Sequence, residues 1–353
     1  MIRFLLKTML IIAPLIAWHS TWGAPTVQQI SYSNLGTLEI HGSGFGLGPK
    51  VVLFDNFEHG AYFSDELSSV SSAWHSQSLI YQEETGNRVH RAKRPTQGSM
   101  AQLIVNFRDD YTEAFISYSV KVPRGTTFAG AANPRTFPSV SSWKFTWLMH
   151  GSEGFRNSGG FDVCLPSHVG GGSFLLGGND GNLSWIDHGS DWWDWDDFNH
   201  MTSYVRFDPQ SPATGPIQTE WSVVNGRGQI QRKIQADPTK LTSQVFAFDR
   251  INIPGWWGNG DNSRFDGLYD NLYVAVGPRS LARVVLTDQP DVNASKKQIV
   301  LMASSWTDSR IVLDANALPK DGAYFLHIFD ASNKPSTGSF RICPTCPATP
   351  QVF

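Results

Sequence analysis

The stretch from Ala114 to Val122 reads Ala-Phe-Ile-Ser-Tyr-Ser-Val-Lys-Val and decides the fold class of this 353-residue chain. Apolar and polar side chains alternate along it with a period of two, the pattern of a half-buried β-strand. No stretch of about a dozen residues beyond the N-terminal segment keeps a helical apolar spacing free of Gly or Pro. The chain is therefore predicted to be all-β and mainly antiparallel, with further strands at 143–150, 202–208, 219–225, 244–252 and 270–277.

The N-terminal segment has the order of a secretory signal peptide. Arg3 and Lys7 precede an apolar run from Met9 to Trp18, and small residues follow it. Residues 1–23 are predicted to be removed, so that a secreted or periplasmic chain begins at Ala24. The apolar run is about half a bilayer span and no later segment is longer, so no membrane partner is expected after cleavage. A net charge of −3 argues against nucleic acid as a partner, because that partner needs a basic face.

The three cysteines are too few for a disulfide framework in a chain of this length. In an oxidising compartment Cys343 and Cys346 could close a small ring in the tail, residues 343–353, or could be incidental, and a redox role is the alternative. Cys164 is predicted to be a small buried hydrophobic residue.

Both ends of the chain carry short strand patterns of a second kind. Residues 24–54 contain the strand Thr37–Ile40, the glycine-rich turn His41–Gly46 and the strand Lys50–Phe54. This order resembles the first hairpin of an IPT/TIG immunoglobulin-like domain, in which glycines supply the positive φ of a tight turn. Residues 289–342 resemble the later strands of such a domain. Two arrangements stay open: one split domain around a central insertion, or two separate small modules.

The central residues, 55–288, open on the acidic strand Phe54–Glu58 and close on the Asp-Asn strand Gly267–Val274. This pairing resembles the concanavalin-like jelly rolls of glycan-binding modules, glycosidases and polysaccharide lyases. The resemblance implies a jelly-roll β-sandwich, accompanied by a small immunoglobulin-like β-domain, and it implies the fold more directly than any activity.

The opening and closing strands carry oxygen ligands that would meet if the two strands are neighbours. Asp55, Glu58, Asp270 and Asn271 form this set, and hard oxygen ligands suit Ca²⁺ better than a transition metal. A structural calcium ion is therefore one expectation, and hydrogen bonding to turns and strand ends is the other. No organic cofactor is expected.

Two loop segments, 191–197 and 254–262, combine tryptophans with acidic and amide side chains. Aromatic rings stack on sugar rings, and carboxylates and amides bind sugar hydroxyls. The alternative is that the loops fold back and the tryptophans cap the ends of the sandwich. The predicted substrate-binding residues are Trp192, Trp193, Trp195, Trp256, Trp257 and Asn259.

Hydrolysis and lyase chemistry make different demands on this sequence. A retaining glycosidase of the concanavalin-like type needs a Glu-x-Asp-x-Glu or Glu-x-Asp-x-x-Glu strand, and the sequence has neither. A lyase needs a group that neutralises the uronate carboxylate, a base and an acid. Strand alternation places Lys144 and His150 on one polar face, and Tyr204 and Arg206 on another, so these four are the predicted catalytic residues. The alternative is that they occupy ordinary solvated or structural positions.

Together these patterns predict a secreted carbohydrate-recognising protein whose partner is a polysaccharide or a cell-surface glycan. Within that class, a polysaccharide lyase acting on an acidic glycan is one interpretation. The alternative is a non-catalytic extracellular adhesin or matrix protein that binds glycan.

Overall fold

The structure is a computed structural model, and its description is confined to residues 23–33, 36–58, 60–71, 80–84, 87–94, 103–122, 143–149, 161–165, 174–178, 181–186, 193–207, 216–235, 247–253, 256–257, 265–319 and 322–342. Within these ranges the chain is built from β-strands, with two single-turn 3₁₀ helices at Val292–Ala294 and Ala315–Ala317. The all-β prediction is confirmed, because the strand-forming alternation is present along most of the chain.

One large sheet has nine antiparallel strands. It contains the stretch that decided the fold class, which lies on β9 and buries Ile116, Tyr118 and Val120. Its strands, in spatial order, are β16 (Ile230–Gln235), β15 (Pro216–Val224), β14 (Asn199–Phe207), β9 (Glu113–Lys121), β19 (Phe265–Val276), β3 (Lys50–Asp55) and β4 (Tyr62–Phe63), with β7 (Asn87–Arg94) and β6 (Ile80–Glu84) added beside the first half of β19.

A second large sheet has eight antiparallel strands and packs against the first as in a jelly-roll sandwich. Val105, Leu148 and Ile251 of this sheet share one core with the inward residues of the nine-stranded sheet. Its strands, in spatial order, are β13 (Gly181–Ile186), β12 (Phe174–Gly178), β11 (Phe161–Leu165), β10 (Trp143–Met149), β17 (Phe248–Ile253), β8 (Leu103–Tyr111) and β5 (Leu67–Val70), with β18 (Trp256–Trp257) paired to β10.

The two ends of the chain form a small sandwich, called here the terminal module. Ile40 lies opposite Ile311 in paired strands, and residues from both ends share one apolar core. One of its sheets contains β1 (Thr26–Tyr32), β2 (Thr37–Ser43), β23 (Arg310–Asp314) and β22 (Ala303–Trp306). The other contains β21 (Gln298–Leu301), β20 (Arg283–Thr287), β24 (Tyr324–Phe329) and β25 (Phe340–Ile342).

The domain boundaries differ from those expected at 54/55 and 288/289. Strand β3 lies in the nine-stranded sheet, where Val52 and Leu53 enter the large core. Strand β20 lies in the terminal module, where Val284 and Leu286 enter the small core. Each boundary therefore falls several residues earlier, because burial of these apolar residues assigns each strand to a core.

The glycine-rich turn before β3 is not a hairpin turn, since β2 and β3 belong to different sheets. It carries the chain from the terminal module into the large sandwich. Gly44 has a φ of +73°, and Phe45 is fully buried in the module core. The Phe45 N–H donates to the carbonyl of Asp308 at 3.1 Å, and the Gly46 N–H donates to Asp308 Oδ1 at 2.9 Å. These hydrogen bonds thus anchor the turn to the C-terminal half of the terminal module.

The terminal module packs on the outer face of the nine-stranded sheet, called here the covered face. Phe115 and Tyr273 of the sheet form a buried cluster with Leu281, Val285 and Phe329 of the module. The opposite side of the sandwich, the outer face of the eight-stranded sheet, is called here the open face. Among the residues the structure describes, no cluster of buried apolar side chains lies on it.

Candidate functional site

Three side chains on neighbouring strands of the open face are joined by hydrogen bonds. Ser69 on β5 lies opposite Asn106 on β8, which lies opposite Arg250 on β17. Asn106 Nδ2 donates to Ser69 Oγ at 2.7 Å, and Arg250 Nε donates to Asn106 Oδ1 at 2.6 Å. These three residues are called here the Arg250 ladder.

Strand alternation explains why the ladder faces outward. Val105 and Ile251, the neighbours of Asn106 and Arg250, are fully buried in the sandwich core. Residues directly before and after a core-facing residue point to the opposite side of the sheet. Asn106 and Arg250 are accordingly half-buried and Ser69 is exposed.

The Arg250 ladder holds a guanidinium in a fixed orientation. Its Nε is occupied by Asn106, and the amide of Asn106 is itself fixed by Ser69. Among the described residues, no further hydrogen bond or ion pair of the Arg250 side chain is found. The two terminal nitrogens therefore form a planar pair of donors, which matches the two oxygens of a carboxylate.

Some of the predicted site residues lie in the same sheet as the ladder. Strand β10 pairs with β17, with Met149 opposite Arg250, and Lys144 of β10 lies opposite Trp256 of β18. Trp257 is the other residue of β18. The backbone thus brings Lys144, Trp256 and Trp257 into the eight-stranded sheet. His150, Trp192 and Asn259 lie outside the described residues.

Tyr204 and Arg206 lie elsewhere, on β14 of the nine-stranded sheet. Tyr204 is buried in the cluster beneath the terminal module, and its hydroxyl donates to Glu113 Oε2 at 2.9 Å. Burial, followed by the Glu113 carboxylate, raises the pKa of Tyr204 well above its ordinary value. Lys144 is therefore not brought into one cleft with Tyr204. Lys144 lies in one sheet, and Tyr204 lies on the far face of the other.

Two of the predicted sugar-binding tryptophans are core residues. Trp193 is 1% exposed and its ring stacks on Phe145, with centroids 5.6 Å apart and an interplanar angle of 12°. Trp195 is buried in the same cluster. These two rings are therefore closed to a sugar, and they pack as the capping interpretation expects.

The predicted calcium ligands lie on paired strands, with Asp55 opposite Leu272. Their oxygens are used locally, however. Asp55 Oδ1 accepts the N–H of Phe57 at 2.7 Å, and the Asp270 carboxylate accepts the N–H and the side-chain amide of Asn271 at 2.7 and 2.9 Å. The described ranges contain no group of three or more His, Cys, Asp or Glu side chains, Glu58 included, that could hold a metal ion. A structural calcium ion at these residues stays a prediction.

The ladder itself was missed in the sequence, although part of its signal is present there. The segment 244–252 is predicted as a strand, and its alternation puts Arg250 and Asn252 on the same side. What the sequence does not show is that this strand lies beside Asn106 and Ser69, because that register joins segments far apart in the chain.

Comparisons with known proteins identify no family for this chain. No family model and no curated protein matches the chain. Among solved structures, it is similar to the alginate lyase vAL-1 from Chlorella virus, at a TM-score of 0.40 and 9% identity, over 60% of this chain and 92% of that one. It is also similar to the PL-14 alginate lyase from Aplysia kurodai, at a TM-score of 0.37 and 11% identity, over 60% and 88% of the two chains.

A third similar structure is lectin II from Ulex europaeus, at a TM-score of 0.33 and 9% identity, over 54% of this chain and 87% of that one. Because these TM-scores and sequence identities are low, the similarities support no conclusion about the fold or the activity of this chain. The architecture is defined by the strand pairing within its sheets. In the described ranges there is also no helix long and apolar enough to cross a membrane.

Proposed function

We propose that this chain binds an acidic polysaccharide on the open face of its eight-stranded sheet. The observation that carries the proposal is the Arg250 ladder, which presents a fixed guanidinium beside amide and hydroxyl groups. A guanidinium pairs with a uronate carboxylate through two parallel hydrogen bonds, and the amide and hydroxyl match sugar hydroxyls.

The net charge of the chain does not favour binding of a polyanion, so the attraction must come from individual basic side chains. The net charge is −3, so a polyanion is not drawn to the protein as a whole. Binding of an acidic glycan then depends on a few placed cations, of which Arg250 is one, with Lys144 on a strand of the same sheet.

The proposed location is outside the cytoplasm, where polysaccharides are found. The support is the basic, apolar and small-residue order of residues 1–23. N-terminal sequencing of the protein recovered from a secreting host tests it. A mature start at Ala24, give or take a residue, is expected, and an intact Met1 on the exported protein would contradict it.

A lyase reaction is the second candidate. Its specific support is that Lys144 lies in the same sheet as the Arg250 ladder, on the strand β10 that pairs with the strand of Arg250. Tyr204 is not part of this proposal, because its ring is closed beneath the terminal module. Turnover would appear as an ultraviolet absorbance of the unsaturated product during the binding experiment.

Affinity electrophoresis in gels containing alginate, polygalacturonate or neutral hydroxyethyl cellulose tests the binding proposal. Retardation is expected in at least one acidic gel and not in the neutral gel. The variant Arg250→Gln should lose roughly tenfold in affinity or more, as expected for hydrogen bonds to a charged group. Arg310→Gln is the matched control, because Arg310 is an exposed arginine of the terminal module that also donates through Nε, to Glu39.

Equal retardation of Arg250→Gln and the unchanged protein would overturn the assignment of the site. Absence of retardation in both acidic gels would overturn the proposed function. Product formation lost in Lys144→Met would support the lyase candidate, and binding without product would leave a glycan-binding protein.

A further inference from the structure

We infer that Arg108 is a second carboxylate-binding residue of the open face, and that this face binds two neighbouring carboxylates of one polyuronate chain. This inference rests on the proposed function and deepens it, because it specifies a ligand with carboxylates on successive sugars. The observation that points to it is that Arg108 repeats the hydrogen bonding of Arg250, with its Nε held by the protein.

Arg108 lies on the open face, on the strand that carries the middle residue of the Arg250 ladder. It follows Asn106 by two positions on β8, and Phe107 between them is buried in the sandwich core. Residues two positions apart on a strand share a face of the sheet. Arg108 is accordingly exposed, and it belongs to the same outer surface as Asn106 and Arg250.

The guanidinium of Arg108 is oriented in the same way as that of Arg250. Arg108 Nε donates to the carbonyl of Leu67 on β5 at 3.1 Å, as Arg250 Nε donates to Asn106 Oδ1 at 2.6 Å. Within the described part of the chain, no other hydrogen bond or ion pair of the Arg108 side chain is found. Its two terminal nitrogens are therefore a second planar pair of donors.

Glu66 lies near Arg108, but its carboxylate is used by other residues. Its Oε1 is 2.9 Å from Lys50 Nζ, and its Oε2 accepts from the Tyr111 hydroxyl at 2.5 Å. Hydrogen bonds from Tyr111 and Lys50, and to a smaller extent the charge of Arg108, lower the pKa of Glu66. The two residues that follow Arg108 are exposed aspartates. Attraction of an anion at this end of β8 therefore depends on the paired hydrogen bonds of Arg108 rather than on an excess of positive charge.

The two guanidinium groups are too far apart to share one carboxylate. Arg250 lies opposite Asn106, so Arg108 is its diagonal neighbour across β17 and β8, at a Cα separation of roughly 8 Å. Both side chains lean one strand towards β5, which keeps this spacing between the guanidinium groups. A carboxylate that pairs both of its oxygens with one guanidinium does not reach the other. A polyuronate supplies the second carboxylate on its next sugar.

Isothermal titration with a fully ionised and a partially esterified form of one polyuronate tests the inference. The polymer is whichever of alginate or polygalacturonate retards the unchanged protein, and esterification separates its remaining carboxylates from one another. Arg108→Gln is expected to weaken binding of the ionised form about fivefold, and binding of the esterified form less than about twofold. The titration reports the binding-competent fraction separately, so misfolding of the variant does not imitate this difference.

Arg279→Gln is the matched control and should bind both forms as the unchanged protein does. Arg279 is also an exposed arginine whose Nε donates to a backbone carbonyl, that of Gly48 at 2.9 Å. It lies in the connection between the large sandwich and the terminal module, away from the open face. Arg250→Gln is the reference for the proposed function, and it should weaken binding of both forms because Arg250 needs only one carboxylate.

Three results would overturn the inference while leaving the proposed function intact. The first is an Arg108→Gln variant that binds the ionised form as well as the unchanged protein does. The second is an equal loss for both forms in Arg108→Gln, which would show that neighbouring carboxylates are not required. The third is a loss in Arg279→Gln as large as that in Arg108→Gln. The proposed function itself fails if Arg250→Gln binds both forms undiminished.

Discussion

An arginine lies at each of the two outer faces of the large sandwich. Their contacts distinguish an arginine with a structural role from one that is available to a ligand. On the covered face, Arg283 of the terminal module is enclosed by aromatic rings, 3.9 Å from the ring centroid of Phe329 and 4.7 Å from that of Phe115. On the open face, Arg250 has Asn106 as its hydrogen-bond partner. The same side chain fastens two modules in one place and faces outward in the other.

The contacts of Arg283 are those of an interdomain fastening. Its Nη1 donates to the carbonyl of Leu281 at 2.6 Å and to Asn333 Oδ1 at 2.8 Å. Asn333 in turn donates to the Glu220 carboxylate on β15 of the nine-stranded sheet, at 3.1 and 3.3 Å. Both hydrogens of Nη1 are thus used within the protein. The comparison teaches that an arginine is available for a ligand where its own chain leaves donors unused.

The largest effect is expected at the fastening. Arg283→Met keeps most of the side-chain volume but removes two cation–π contacts and the hydrogen bonds, so the free energy of unfolding should fall by about 3 kcal/mol. Urea denaturation followed by tryptophan fluorescence measures it. Arg250→Met is the control and should stay within about 0.5 kcal/mol of the unchanged protein. Equal decreases in the free energy of unfolding of the two variants would contradict the different roles assigned to Arg283 and Arg250.

The covered face should also make stability depend on pH. Burial, and next the charge of Arg283, lower the pKa of His200 from 6.5 to about 3. Above pH 6.5 the histidine is neutral in the folded and the unfolded chain. As the pH falls below 6.5, the unfolded chain binds a proton that the folded chain refuses until about pH 3, so stability decreases across that window.

His90, buried in the sandwich core, adds to this dependence, because burial lowers its pKa from 6.5 to about 4. Each histidine can cost up to about 1.4 kcal/mol per pH unit. The fall of the urea midpoint between pH 7 and pH 4 should be shallower by one histidine's share in His200→Gln. An unchanged slope in His200→Gln would mean that His200 is hydrated.

A smaller effect is expected from the middle of the ladder. Asn106→Ala removes the acceptor that orients the Arg250 guanidinium, so polyuronate affinity should fall by about 1 kcal/mol, roughly fivefold, while the urea midpoint changes little. Ser222→Ala is the control from the nine-stranded sheet, since Ser222 forms a similar cross-strand polar pair with Thr202 at 3.0 Å. A loss of affinity in Ser222→Ala would place the ligand on the wrong side of the sandwich.

The sequence predicts the strands well because their signal is local. The alternation at 114–122 corresponds to β9 at Glu113–Lys121, and the one at 202–208 to the second half of β14. A period of two shows which side chains share a face, and Tyr204 and Val205 do lie on opposite faces. It does not show which face another part of the chain covers.

Because the sequence does not show which face is covered, Tyr204 was predicted as a site residue. Tyr204 has the appearance of an outward polar residue until β20 and β24, more than about 75 positions later in the chain, are laid over it. The position of Arg250 beside Asn106 is likewise a product of long-range register. Local sequence patterns predict the strands, whereas the candidate site depends on pairing between distant segments of the chain.

Tyr204→Phe gives the smallest effect and the sharpest test of the comparison. The change removes only the hydroxyl that donates to Glu113, so the free energy of unfolding should fall by about 1 kcal/mol or less. Polyuronate binding and any product formation should be unchanged, because the ring is closed beneath Leu281 and Phe329. If Tyr204→Phe abolishes product formation with the urea midpoint intact, the terminal module must lift from the covered face, and the catalytic interpretation of Tyr204 would be restored. Retained activity would instead leave the open face as the functional one.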